Sequence, residues 1–212
     1  MTREELLQIA KPVLFNTEMT VAILEDRKGA TRRCIKPQPN ERITTGANWQ
    51  QLIVAAAAPC HVGDVLYVRE TWFYEEHLHD RTAGKPDLAS GRYLHRYIYK
   101  ADNSNYPVNI GVGANGWHPS IHMPKEAARI FLRVTDVRAE RLQDIIIEDI
   151  RKEGLTSMAV HAGDTEIAYE EWKLLWDSTI KKSDIPLYGW DANPWVWVIE
   201  FERIETDEYK TD

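Results

Sequence analysis

The stretch that most limits what this chain can fold into is Pro194-Trp195-Val196-Trp197-Val198-Ile199-Glu200-Phe201. Aromatic and β-branched residues dominate it, so it favours an extended conformation. It is apolar on both faces, and a strand of that kind has to be buried on both sides. Further strand signals precede it: Pro12-Val13-Leu14-Phe15, Thr31 to Ile35, Val65 to Trp72, Tyr93 to Lys100, and Ile130 to Val134 followed by Val137. Over Val65 to Trp72 the alternation places Leu66, Val68, Glu70 and Trp72 on one face, with Val65, Tyr67, Arg69 and Thr71 on the other.

Helical signals lie between these strands. Asn16 or Thr17 can cap a helix in which Met19, Ala22 and Ile23 fall at core spacing. Trp49 to Ala58 reads as a helix ended by Pro59. Asp144 is expected to cap a helix running to Glu153, with Ile146, Ile147 and Ile150 inward and Gly154 at its end. Asp164 caps another, with Ala168, Trp172, Leu175 and Trp176 on one face. Residues 1–11 read as a helical or frayed lead-in and residues 36–47 as a loop. Strands and helices mix without regular β–α alternation. That predicts an α+β fold: a small, mostly antiparallel β-barrel with flanking helices, not a doubly wound sheet. The boundaries that follow are one domain over 12–204, a polar insertion at about 75–127 and an acidic tail over 205–212. The segment Gly111-Val112-Gly113-Ala114-Asn115-Gly116 has no strand leading in and no Lys-Ser/Thr following, so it reads as a connection and not a phosphate cradle.

Composition narrows the function classes. A net charge of -7 argues against broad binding to a nucleic-acid backbone, though it leaves room for one nucleotide in a locally basic pocket. Two cysteines, Cys34 and Cys60, are too few for a disulfide framework and point to a reducing compartment. The opening Met1-Thr2-Arg3-Glu4-Glu5 is not a signal peptide, and no apolar run approaches ~18 residues. The expectation is a cytoplasmic protein with no membrane partner. His77 and His79 share one side of a strand-like run, but no second cluster has ligand spacing. Cys60-His61 alone cannot close a zinc site, so no metal and no cofactor is expected.

The chemistry concentrates in Ile23-Leu24-Glu25-Asp26-Arg27-Lys28-Gly29-Ala30-Thr31-Arg32-Arg33. Gly29 is expected to release the chain from the helix, leaving Lys28 at a helix exit and Thr31 at a strand entrance. Element ends are a common place for working side chains, because a rigid scaffold holds them. The plain alternative is that Lys28, Arg32 and Arg33 form a solvated basic face. Two acids also stand out. Glu70 lies between Val68 and Trp72 and needs a partner if buried. Glu153 falls in a last helical turn, where the macrodipole disfavours an acid by roughly 0.3–1 kcal/mol. Either a salt bridge to a nearby lysine or a working carboxylate accounts for it.

With the segment 23–33, Gly63-Asp64-Val65-Leu66-Tyr67-Val68 and Val198-Ile199-Glu200-Phe201, the chain resembles an ASCH domain. The longer pattern adds Arg69-Glu70-Thr71-Trp72, Trp117-His118-Pro119-Ser120-Ile121-His122-Met123-Pro124 and Asn193-Pro194-Trp195, and resembles the ASCH proteins of bacteriophages and prophages. The likeness spans about 12–204. It implies a PUA-like barrel with a cleft facing a nucleotide. One ASCH branch removes the acyl group from N4-acetylcytidine, with the pattern Gly-Arg-Lys-Thr-x-Thr-x-Arg and a later glutamate. The lysine of that pattern falls on Lys28, the second threonine on Thr31, the arginine on Arg33 and the glutamate on Glu153. Asp26 stands where the leading glycine would be, and Gly29 replaces the first threonine. The resemblance thus implies Lys28, Thr31 and Glu153 as catalytic and Arg33 as substrate-binding. Arg69, Glu70, Trp72 and Trp117 are further candidates for holding substrate, a tryptophan by stacking on the base. Other ASCH proteins resemble RNA-binding modules or ribonucleases. Two readings therefore stand beside amide hydrolysis: a binder of RNA or a modified nucleotide, and a ribonuclease in which Lys28 and Arg33 meet the phosphate.

Overall fold

The computed structural model describes residues 1–78, 93–105 and 116–205. In chain order the elements are α1 (Arg3–Ile9), β1 (Lys11–Leu14), α2 (Thr17–Leu24), β2 (Ala30–Cys34), α3 (Glu41–Thr44), α4 (Trp49–Ala57), β3 (Val65–Arg69), β4 (Trp72–Leu78) and β5 (Tyr93–Tyr99). They continue with β6 (Phe131–Arg141), α5 (Ile147–Lys152), α6 (Met158–Ala162), α7 (Thr165–Thr179), α8 (Ile185–Tyr188) and β7 (Trp195–Ile204). Five strands form one sheet in the order β1-β3-β6-β7-β2, and β4 and β5 form a separate two-stranded sheet. Only the β1–β3 pair of the larger sheet is parallel. The fold is α+β, as expected, but the sheet is open: β1 and β2 are its edges, with no ladder between them.

The closing strand is buried on both faces. Trp197, Ile199 and Phe201 pack on one side with Phe15, Ile23, Ile35, Leu66, Val68 and Leu132, under α2 and α4. Val196 and Val198 pack on the other with Leu142, Ile150, Trp172 and Trp176, under α5, α6 and α7. A third cluster seats Leu6 of α1 on Val65, Tyr67 and Phe131, so α1 is packed and not frayed. β6 keeps its inward pattern despite an irregular sequence. A bulge between Val134 and Asp136 flips the alternation once, so Val134 and Val137 both reach the core that holds Phe201.

Several local expectations need correction. The chain reverses after α2 at Asp26, which has φ 55, and not at Gly29. Asp26 N–H donates to the Ile23 carbonyl and Arg27 N–H to the Ala22 carbonyl, so the orphan carbonyls of α2 are met by a Schellman arrangement one turn earlier than the glycine. Asp144 does not cap α5. Leu142 and Ile145 are both drawn into the core by a tight 3-10 turn, and the helix starts only at Ile147. Ile146, expected inward, is exposed as a result. The strand expected over Val65 to Trp72 breaks at Glu70 and Thr71. There the chain leaves the large sheet, and Trp72 pairs with His118 instead. The loop expected over 36–47 contains the short α3. Asn16 and Asp164 cap α2 and α7 as expected, accepting from Met19 N–H and Ile167 N–H. No helix among the described residues is long and apolar enough to cross a membrane. Residues 111–115, His79 and the tail beyond 205 lie outside the described residues.

Candidate functional site

Two helix ends meet at the free edge of β2. One is the turn after α2, carrying Lys28; the other is the end of α5, carrying Glu153. Lys28 and Glu153 form an isolated antiparallel bridge, and Gly29 N–H donates to the Lys152 carbonyl. This backbone pairing covers an otherwise bare edge and brings the two side chains together across 125 residues of sequence. Gly154, with φ +95, allows the approach: a Cβ there would stand 2.9 Å from the Ala22 Cβ. Arg27 reinforces the junction by donating from Nη1 to the Gly154 carbonyl at 2.8 Å.

The Lys28 amine is fully buried. Nζ donates to Glu153 Oε2 at 2.7 Å and to the Glu153 carbonyl at 2.9 Å. The lysine therefore meets both the acid and an exposed carbonyl at the end of α5, which answers the unfavourable placement of an acid in that turn. The other carboxylate oxygen, Oε1, accepts from Arg32 Nη1 at 3.2 Å. Arg32 Nη2 in turn donates to Asp149 Oδ2 at 2.9 Å, one helical turn before Glu153. Arg32 is also fully buried, and its Nε finds no partner among the described residues. The expectation of a solvated basic face thus fails for Lys28 and Arg32. It holds for Arg33, which is exposed.

Strand alternation distributes the residues of β2. Thr31 lies opposite Ile199 and Arg33 opposite Trp197, both on the face that holds Phe15; Arg32 lies opposite Val198 on the other face. The Lys28 amine stands 5.7 Å from the centre of the Phe15 ring and the Arg33 guanidinium 5.4 Å from it. Thr31 and Arg33 therefore address one side of the sheet, with Thr31 almost wholly buried, while the Lys28 amine lies between Phe15 on that side and Glu153, which Arg32 meets from the other. Arg33 Nη2 also donates to the Leu14 carbonyl at 2.6 Å, which links the ends of the two edge strands.

Burial holds the Lys28 amine below the ordinary lysine range. Glu153 pulls in the opposite direction, while Arg33 and Arg32 add to the lowering.

The other candidates have separate duties. Glu70 is buried and accepts from Arg129 Nε at 2.9 Å and Nη2 at 3.0 Å, a two-pronged pair. The same arginine reaches Asp102 at 2.5 Å and lies 3.9 Å from the Tyr99 ring centre. Burial pushes the Glu70 carboxyl above the usual range and Arg129 draws it back. Arg69 donates to the carbonyls of Met123 and Ile121. Trp72 stacks on His118 with ring centres 4.7 Å apart, and its Nε1 is buried without a partner among the described residues. Trp117 packs on Phe73 and Ile98. Sequence reasoning missed Arg129 as the partner of Glu70, and missed Phe15, Arg32 and Asp149 around Lys28. Of these, Arg32 and Asp149 left a trace. Arg32 alternates with Ala30 and Cys34 on one face, and Asp149 precedes Glu153 by four positions. Among the described residues no group of three or more His, Cys, Asp or Glu is placed to hold a metal ion.

No protein-family model, curated protein or solved structure matches this chain.

Proposed function

We propose that this chain is an ASCH-type amidohydrolase that removes an acyl group from the exocyclic amine of a modified cytosine nucleoside such as N4-acetylcytidine, acting in the cytoplasm. The observation that carries the reading is the Lys28 amine: buried, depressed in proton affinity, hydrogen-bonded to Glu153 and 5.7 Å from the Phe15 ring, on whose face Thr31 lies. Threonine is a weak nucleophile unless a neighbouring group takes its proton. In this reading the neutral Lys28 amine accepts the proton of the Thr31 hydroxyl as Oγ1 attacks the acyl carbon. The bond to the cytosine N4 breaks, and that nitrogen leaves with a proton relayed by Lys28 or Glu153. Water then hydrolyses the threonine ester. A positioned base of this kind contributes roughly 10²–10⁴ in rate. In this reading Arg33, exposed and beside the Phe15 ring, holds the nucleoside.

The same reading carries a PUA-like barrel over 12–204. Its support is the Arg33 bond to Leu14, which draws the two edge strands towards each other. The competing reading, a binder of RNA or a modified nucleotide, draws on the complete burial of Lys28 in an ion-pair network. The deciding experiment incubates purified protein with N4-acetylcytidine and resolves the products chromatographically. Cytidine formation by the wild type and none by folded Lys28→Ala is expected. Nucleotide or RNA binding without turnover on any acylated nucleoside would move the protein to the binding reading.

A further inference from the structure

Arg32 stands out among the described residues as a buried cation. It is a fully buried guanidinium on β2 that reaches past the sheet edge to two acids of one helix. Its charge is permanent. A buried arginine is costly unless its partners are well placed, and one of its own donors, Nε, has no partner among the described residues. Two good bonds and one orphan donor suit a residue retained for what it does to its neighbours.

We propose that Arg32 is a positioning residue of this site: by gripping Glu153 Oε1 and Asp149 Oδ2 it aims Oε2 at Lys28 and sets a fixed, buried positive charge against a proton on that lysine. Arg32 of β2 shares the Glu153 carboxylate of α5 with Lys28 and is itself held by Asp149, one helical turn away; Arg33 is exposed, so Arg32 is the buried cation that competes with a Lys28 proton for Glu153. The outer groups are tied elsewhere. Glu140 of β6, 3.7 Å from Arg32, is bonded by Arg138, as are Asp136 and Glu200; Arg138 also lies 4.0 Å from Asp149. Lys152 pairs with Glu200 at 3.0 Å and Arg27 with Glu25 at 2.5 Å. Without Arg32, no buried cation would share Glu153 with Lys28, and proton binding at Lys28 would be favoured. The carboxylate would also be free to turn both oxygens to the lysine. Arg32 occupies Oε1 and prevents that.

This inference rests on the hydrolase reading for its catalytic meaning, but its test needs no substrate. The protein is produced with isotope-labelled lysine, and the Lys28 side-chain resonance, identified by its loss in Lys28→Met, is followed against pH by NMR. The wild-type midpoint is expected below the ~10.4 of free lysine. Arg32→Met should raise it, because the buried cation that shares Glu153 with Lys28 is gone. Arg32→Lys, which keeps the charge, should restore most of the wild-type value. Asp149→Asn removes a negative charge instead and should move the midpoint down, which keeps the test open if Arg32→Met does not fold. A folded Arg32→Met with an unmoved midpoint, or an Asp149→Asn midpoint that rises or stays put, overturns the proposal. Expected shifts in a protein that never hydrolyses an acylated nucleoside would end the hydrolase reading and leave the role of Arg32 intact.

Discussion

Gly154 lies directly against Lys28: a methyl group built on the glycine would stand 3.2 Å from the Lys28 Cβ and 2.9 Å from the Ala22 Cβ. Its φ of +95 is also one that side chains rarely adopt. Gly154→Ala therefore combines backbone strain with overpacking where α2 and α5 meet. A loss of roughly 1–3 kcal/mol in urea denaturation is expected, with a drop in any hydrolytic activity as Lys28 is displaced. An alanine variant as stable as the wild type would show that the junction yields freely.

Lys28→Ala and Thr31→Ala should each remove most of kcat on N4-acetylcytidine, and the double variant should be little worse than either, because a nucleophile and its base act as one unit. Thr31→Ser keeps the hydroxyl and should retain part of the rate. If Arg33 only holds substrate, as the proposed reading has it, Arg33→Ala should raise KM more than it lowers kcat. Steady-state kinetics with circular dichroism as the folding control separates these outcomes. Wild-type-like turnover by folded Lys28→Ala would end the assignment of the base.

The pH dependence follows from the lowered proton affinity of Lys28. In the proposed mechanism the working form is the neutral amine, and kcat/KM should then climb with pH through the folded-state pKa and level off before the 10.5 of an ordinary lysine. Stability has the matching sign. Between the depressed folded value and 10.5 the unfolded chain binds more protons than the folded one, so this group makes the fold more stable as pH rises and less stable as pH falls through that window. Lys28→Met should flatten both slopes. A rate profile falling across that window would contradict a neutral-lysine base.

Glu70→Gln tests whether that carboxylate serves structure or substrate. Its partner Arg129 has an 11% exposed side chain and keeps Asp102, so the loss should fall below the about 3–5 kcal/mol of a buried pair broken to leave an uncompensated charge. Differential scanning calorimetry should show a clear fall in Tm. Unchanged stability with a raised KM would return Glu70 to the substrate site.

Trp197 and Trp195 should separate. Trp197 is 6% exposed within the main core, and Trp197→Ala should cost about 3–5 kcal/mol. Trp195 is only half-buried, edge-on to Trp49 with ring centres 4.5 Å apart and beneath Arg141, so its truncation should cost distinctly less. Equal losses in urea denaturation would contradict this difference in burial.

What the sequence determined by itself is short in range. The caps at Asn16 and Asp164, the left-handed turn at Gly154 and the doubly buried run of β7 all follow from bonds and periodicities spanning a few residues. The same short range explains the misplacements. Asp144 looked like a helix cap, but the burial of Leu142 and Ile145 shaped that turn first. Gly29 looked like the helix exit, but Asp26 adopted the left-handed conformation and formed a partner bridge to Arg203 at 3.1 Å. Only the tertiary structure decided the neighbourhood of Lys28. The ladder of β2 on β7 settles which face Thr31, Arg32 and Arg33 present, and the docking of α5 against the end of α2 sets Glu153 beside the lysine. Whether a cation is solvated or buried depends on what the rest of the chain lays over it. No spacing within 23–33 encodes that cover, which is why Arg32 and Arg33, adjacent in sequence, end in opposite environments.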